Sequence, residues 1–186
     1  MESSCMNDRP AEKTTEPIIP GGPWRPPTTL VIGCGNPLRG DDAVGIEVVQ
    51  RLARCQLPPG VRCVDAGTSG LEIVLLMRNT EKLVLIDAAA PRELDRGQPG
   101  RLHELSCEQV LSTVAASGSA AAVSIHAVRW DQALALSQAL GSPQPAELTC
   151  FLIEGGSFAH GARLSSAVEA TAEQLVARLE HQLTRP

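Results

Sequence analysis

Residues 29–45 read TLVIGCGNPLRGDDAVG, and this stretch decides the architecture. TLVIGCG is a short, β-branched apolar run that stops at glycine, the pattern of a buried strand meeting a loop. Residues 43–55, AVGIEVVQRLARC, then place Val44, Val48, Val49 and Leu52 at helical spacing. Strand, polar loop and helix in that order open an α/β unit.

The same cycle recurs outward from there. VRCVDAG (61–67) reads as a second strand, LEIVLLMRN (71–79) as a second helix, and KLVLIDAAA (82–90) as a strand apolar on both faces. After the turn residues GQPG, RLHEL (101–105) suits an edge strand, and the Ser, Gly and Ala of residues 111–124 suit a mobile loop. WDQALALSQAL (130–140) reads as a helix and ELTCFLIEG (147–155) as a buried strand. The last helix, 165–183, is expected to carry a capping box at Ser166 and Glu169. Val168, Ala172, Leu175, Val176, Leu179 and Leu183 form its apolar stripe. With right-handed crossovers this predicts a three-layer α/β/α sandwich on a twisted, mostly parallel sheet of about five strands.

A length of 186 residues suits one domain, placed at 28–186, and a monomer is the default for a domain of this size. Residues 1–27 hold six prolines and few large apolar side chains, so a disordered tail is expected there. Aromatics make up only 2% of the chain and tyrosine is absent, so the core must be aliphatic. A net charge of -5, with no basic stripe interleaved with aromatics, argues against nucleic acid. No apolar run is long enough for a membrane span, and MESSCMNDRP lacks a signal-peptide core, so the expected location is the cytoplasm. Six scattered cysteines without a CxxC pair read as mostly reduced core residues.

In open parallel sheets ligands collect beyond the carboxyl ends of the strands, at a topological switch point. The first strand runs there into the adjacent acids Asp41 and Asp42, the second ends at Asp65 and the third at Asp87. Each alone suits a cap or a turn; together they suggest a site. His126, between the small-residue stretch and a helix, is the histidine placed to close over the same edge. Asp42, Asp65 and His126 would offer two carboxylates and an imidazole, a set suited to a divalent transition metal with positions left open. Asn36, beside Gly33 and Gly35, stands where backbone and amide can approach a peptide, and is taken as a substrate-binding residue. Leu38 occupies the third glycine's place of GxGxxG, so the dinucleotide fingerprint fails and no organic cofactor is expected. There is no GxSxG elbow and no cysteine beside a histidine, hence no support for an acyl-enzyme.

Residues 33–45 resemble the opening GxGNxLxxDD/E segment of the hydrogenase maturation proteases. VDAGTSGLEIV (64–74) resembles their second acidic motif and SIHAVRWDQAL (124–134) their histidine motif, in the same order. The resemblance runs from about residue 29 to 183, with Ala43 in place of a frequent glycine and Asp42 where some members carry glutamate. It implies an endopeptidase that removes the C-terminal extension of a [NiFe]-hydrogenase large-subunit precursor once nickel is inserted. Asp42, Asp65 and His126 then contact nickel supplied by the substrate, and Asp42 or Asp65 assists water attack. The alternative is a non-catalytic, nickel-dependent checkpoint module that inspects the precursor without cutting it.

Overall fold

In the computed structural model, residues 28–78, 80–90, 97–106, 108–110, 112 and 130–185 are described, side chains included except that of Leu71. The expected tail at 1–27, most of the expected loop at 111–124, and His126 lie outside them.

Five strands form one sheet: β1 (Thr29–Cys34), β2 (Val61–Gly67), β3 (Lys82–Ala89), β4 (Leu102–Ser106) and β5 (Glu147–Glu154), in the order β2-β1-β3-β5-β4. β2, β1, β3 and β5 run parallel, and β4 closes the edge antiparallel to β5. The α/β fold with a mostly parallel five-stranded sheet is thus as read from the sequence. Central β1 and β3 are buried on both faces, whereas edge strands β2 and β4 are buried only in part, which is why polar side chains are tolerated along them.

Strand alternation sorts the aliphatic side chains into two cores. Leu30, Ile32, Leu83, Leu85, Leu148 and Cys150 pack with α2 (Gly70–Leu76) and α3 (Trp130–Ala139). Val31, Val84, Ile86, Phe151 and Ile153 pack with α1 (Val44–Leu52) and α4 (Ser166–Thr184) on the opposite face. Full burial of each such side chain stabilises by about 1.5–3 kcal/mol before entropy is counted. In α1 the expected Val44, Val48, Val49 and Leu52 are all buried. In α4, Val168, Ala172, Leu175 and Leu179 are buried, with Val176 and Leu183 partly so. No helix among the described residues is long and apolar enough to cross a membrane.

A close approach sets the start of α1. A Cβ on Gly33 would lie 2.1 Å from the Gly45 carbonyl oxygen, and one on Gly45 would lie 2.3 Å from that of Ile86. Only glycine at both positions lets the helix begin directly against β1 and β3.

The start of α4 departs from the expected capping box. Ser165, not Ser166, is the N-cap, and no side-chain cap bond forms. The Ser165 hydroxyl instead donates to Asp41 at 3.0 Å, and Glu169 pairs with Arg51 of α1 at 2.8 Å. Tertiary partners have outcompeted the local motif.

Candidate active site

Strand order reverses at β1, so the β1–α1 and β2–α2 connections leave toward opposite faces and open a crevice at the carboxyl edge. A cleft of about 570 Å³ lies there. Its walls are Cys34, Gly35, Arg39 and Asp42 from the first connection, Gly67, Thr68, Gly70 and Ile73 from the second, and Asp87, Ala88 and Ala90 from the end of β3 and beyond it. Trp130 opens α3 on one side, and Phe158 reaches in from the β5–α4 loop.

Asp41 and Asp42 share a short 3-10 turn, Gly40–Ala43, yet the fold treats them oppositely. The N-cap positions of the turn and of α1 are Arg39 and Ala43, not the two acids. Asp41 is fully buried. Its carboxylate accepts from the amides of Gly156 (2.7 Å), Ser157 (2.9 Å) and Ser165 (2.6 Å) and from the Ser165 hydroxyl. Its own N–H donates to the Ser157 carbonyl at 2.8 Å. A buried carboxylate is costly unless its lone pairs are met, and four donors meet them here. The bonds fasten the β1–α1 connection to the loop that carries Phe158. Asp42, one residue on, is half-buried and lines the cleft.

Asp65 stands exposed two residues before the end of β2, not at its last position as expected from the sequence. The register slips between Gly33 and Cys34, which pair with Asp65 and Gly67, so Ala66 is an extra residue and the strand end is re-aimed. One Asp65 oxygen accepts from Gly67 N–H at 3.0 Å and the other from the Gln50 amide at 3.2 Å. Further lone pairs are left on both oxygens.

Asp87, an acid outside the expected triad, stands in the cleft wall. Its Oδ2 accepts from the Trp130 indole at 2.8 Å and its Oδ1 from Ala88 N–H at 2.8 Å. The bond ties the end of β3 to the start of α3, a contact no local sequence pattern announces. Thr68, Arg39, Trp130 and Phe158 also escaped the sequence reading as cleft residues. The place of Trp130 inside the histidine motif is the one available signal.

Cys34 lines the cleft between these acids. Burial pushes its thiol well above the ordinary value, and the charges of Asp87, Cys150 and Asp65 push it further. A thiol held protonated is no nucleophile. Cys34, Cys55, Cys63 and Cys150 are all free thiols, as expected from their spacing.

Asn36 serves the turn: its Oδ1 accepts from Leu38 N–H at 2.9 Å, and its carbonyl from Arg39 N–H at 3.1 Å. Of the expected triad, Asp42 and Asp65 therefore come to the ends of adjacent strands β1 and β2, while His126 lies outside the described residues. Among the described residues no three His, Cys, Asp or Glu side chains form a metal-binding group.

The sequence model of the family described as HycI, hydrogenase maturation protease, matches residues 46–182. The hydrogenase 2 maturation protease of Escherichia coli is 37% identical over 82 residues, 44% of this chain and 48% of that protein. The hydrogenase expression/formation protein HoxM of Azotobacter vinelandii is 30% identical over 165 residues, 82% of this chain and 74% of that one. The alignments with the first curated relatives span about half of those proteins' lengths. Among solved structures, the hydrogenase maturating endopeptidase HybD of Escherichia coli superimposes with a TM-score of 0.63 at 29% identity, covering 83% of this chain and 93% of that one. Sequence match and superposition point the same way, and this chain belongs to the hydrogenase maturation protease family.

Proposed function

We propose that this protein is an endopeptidase that removes the C-terminal extension of a [NiFe]-hydrogenase large-subunit precursor after nickel insertion. The observation that carries the reading is the open cleft at the switch point, with Asp42 and Asp87 in its walls and Asp65 at the neighbouring strand end. A C-terminal tail is extended polypeptide, which such a crevice admits.

Asp42, Asp65 and His126 form the set that grips the nickel carried by the precursor. The open lone pairs of Asp65 and the position of Asp42 on the cleft wall support this donor set. Trp130 stands in the cleft wall, and covalent geometry keeps His126 within about 14 Å of it, Cα to Cα, across four residues. When the precursor is bound, its nickel supplies Lewis acidity and a checkpoint for completed metal insertion. Asp42 or Asp65 takes a proton from the attacking water as its oxygen adds to the scissile carbonyl; the proton then passes to the leaving amine. Asn36 shapes the loop against which the peptide lies.

In this reading residues 28–186 act as a single cytoplasmic domain and as a monomer, with neither nucleic acid nor membrane as partner. The net charge of -5 supports the exclusion of nucleic acid. The test is intact-mass measurement of nickel-loaded and nickel-free precursor after incubation with the protein. Loss of a C-terminal peptide from the loaded form alone is expected. Complex formation without mass loss would instead identify a checkpoint module.

A further inference from the structure

Aromatic side chains are scarce in this chain: two phenylalanines, two tryptophans and no tyrosine. Two of those four, Trp130 and Phe158, nevertheless stand in the cleft wall. Of the pair, Trp130 carries a polar handle, its indole N–H.

Strand alternation brings that N–H an acceptor. Leu83, Leu85 and Asp87 share one side of β3, the side that α2 and α3 cover. The two leucines are sealed in the core, whereas Asp87, next along the same face, reaches the cleft. The Trp130 ring, only 8% exposed, packs into that core, and its Nε1–H donates to Asp87 Oδ2 at 2.8 Å. The other carboxylate oxygen accepts from Ala88 N–H at 2.8 Å. One bond alone would let the carboxylate pivot, because the terminal torsion of aspartate is broad. A second donor on the opposite oxygen, borne by a ring that is itself packed, removes that freedom.

We propose that Trp130 is a positioning residue for peptide cleavage: through its indole N–H it holds the Asp87 carboxylate in one orientation toward the cleft. The inference rests on the peptidase reading and adds to it a residue that sets the rate through another side chain. Among the described residues, Asp42 and Asp87 are the carboxylates of the cleft wall. A polar group that acts on a reacting peptide must be placed to within a fraction of an ångström, and a misplacement of about 1 Å costs about a hundredfold in rate. Burial of the ring supplies the rigidity, and the N–H passes it to the carboxylate.

The experiment measures cleavage of the nickel-loaded large-subunit precursor by two variants. Trp130→Phe keeps an aromatic ring and removes the donor; Asp87→Glu keeps the charge and shifts it by one methylene. Both are expected to lower kcat about tenfold or more with KM within about twofold, the signature of an interaction made in the transition state. Combined, they should lower kcat no further than either alone, because both release the same carboxylate. Wild-type kcat in either folded variant overturns the proposal. So does a rise in KM at constant kcat, which would make Trp130 a contact of the substrate itself, and so do losses that multiply in the double variant. Should Trp130→Phe fail to fold, undiminished kcat in Asp87→Glu still overturns it. If the wild type leaves the precursor whole, the peptidase reading and this role fall together; if it cuts and the variants cut as fast, the role falls alone.

Discussion

The back and the front of the carboxyl edge of the sheet use the same functional group for opposite ends. At the back, Asp41 and Glu154 are buried, and their carboxylates are engaged by donors from distant parts of the chain. Asp41 is held by Gly156, Ser157 and Ser165; Glu154 is held by Gln98 N–H and by His103, the latter at 2.6 Å. At the front, Asp42 and Asp87 line an open cleft, and Asp65 sits exposed beside it. Four donors on its carboxylate fix Asp41 in the fold, whereas an exposed carboxylate that keeps lone pairs, as Asp65 does, can take a proton or a metal ion. Only a peptide bond separates Asp41, which is sealed in, from Asp42, which lines the cleft.

The sharpest way to break this comparison is Asp42→Asn. Cleavage of the precursor should fall by at least about a hundredfold, as for loss of a general base, while stability in urea stays within about 0.5 kcal/mol. His126→Ala should behave in the same way. Wild-type cleavage in both variants would remove the front half of the contrast.

Asp41→Ala should do the reverse. It leaves buried amides of the β5–α4 loop without an acceptor, and a loss on the order of 3–5 kcal/mol is expected from the urea midpoint. A variant as stable as wild type would show that the clamp is not structural.

Glu154 allows a finer test through pH. Burial opposes its charge, but the His103 hydrogen bond, the Gln98 N–H and the charges of His103 and Arg101 outweigh it, so the carboxyl sits below its ordinary value. A carboxyl lowered on folding contributes stability that is fully present above the unfolded value of about 4.3 and is lost as pH falls through the lower native one. Glu154→Gln should therefore cost stability at pH 7 and much less in strong acid. An equal loss at both, measured by denaturant titration, would assign the effect to packing alone.

The smallest effects belong to the thiols. Cys34→Ala should leave kcat within about twofold, because a protonated thiol contributes no nucleophile. Burial, with a further contribution from Cys55, pushes the Cys63 thiol up to about 11. Its alkylation at pH 8 should thus be slower than that of free cysteine by about two orders of magnitude. Rapid labelling of Cys63 would show that the edge of β2 opens readily.

Asp65 lies two residues before the end of β2, whereas Asp42 follows the last residue of β1 by eight positions and reaches the cleft through the Gly40–Ala43 turn. The capping box at Ser166 failed because a buried carboxylate 124 residues away claims the Ser165 amide and hydroxyl. Asp87 was visible as an acid at a strand end, but its bond to Trp130 spans 43 residues and depends on α3 packing over β3.

Hydrophobic periodicity, turn glycines and the three motifs were enough to determine the alternating α/β order, the buried strands, the family and the edge at which the acids gather. These are properties of neighbours along the chain, and burial drives them directly. Which of two adjacent aspartates is sealed in and which lines the cleft was decided only by tertiary structure. Hydrogen-bond donors for a buried carboxylate come from wherever the fold brings the backbone, and one-dimensional spacing carries no record of them.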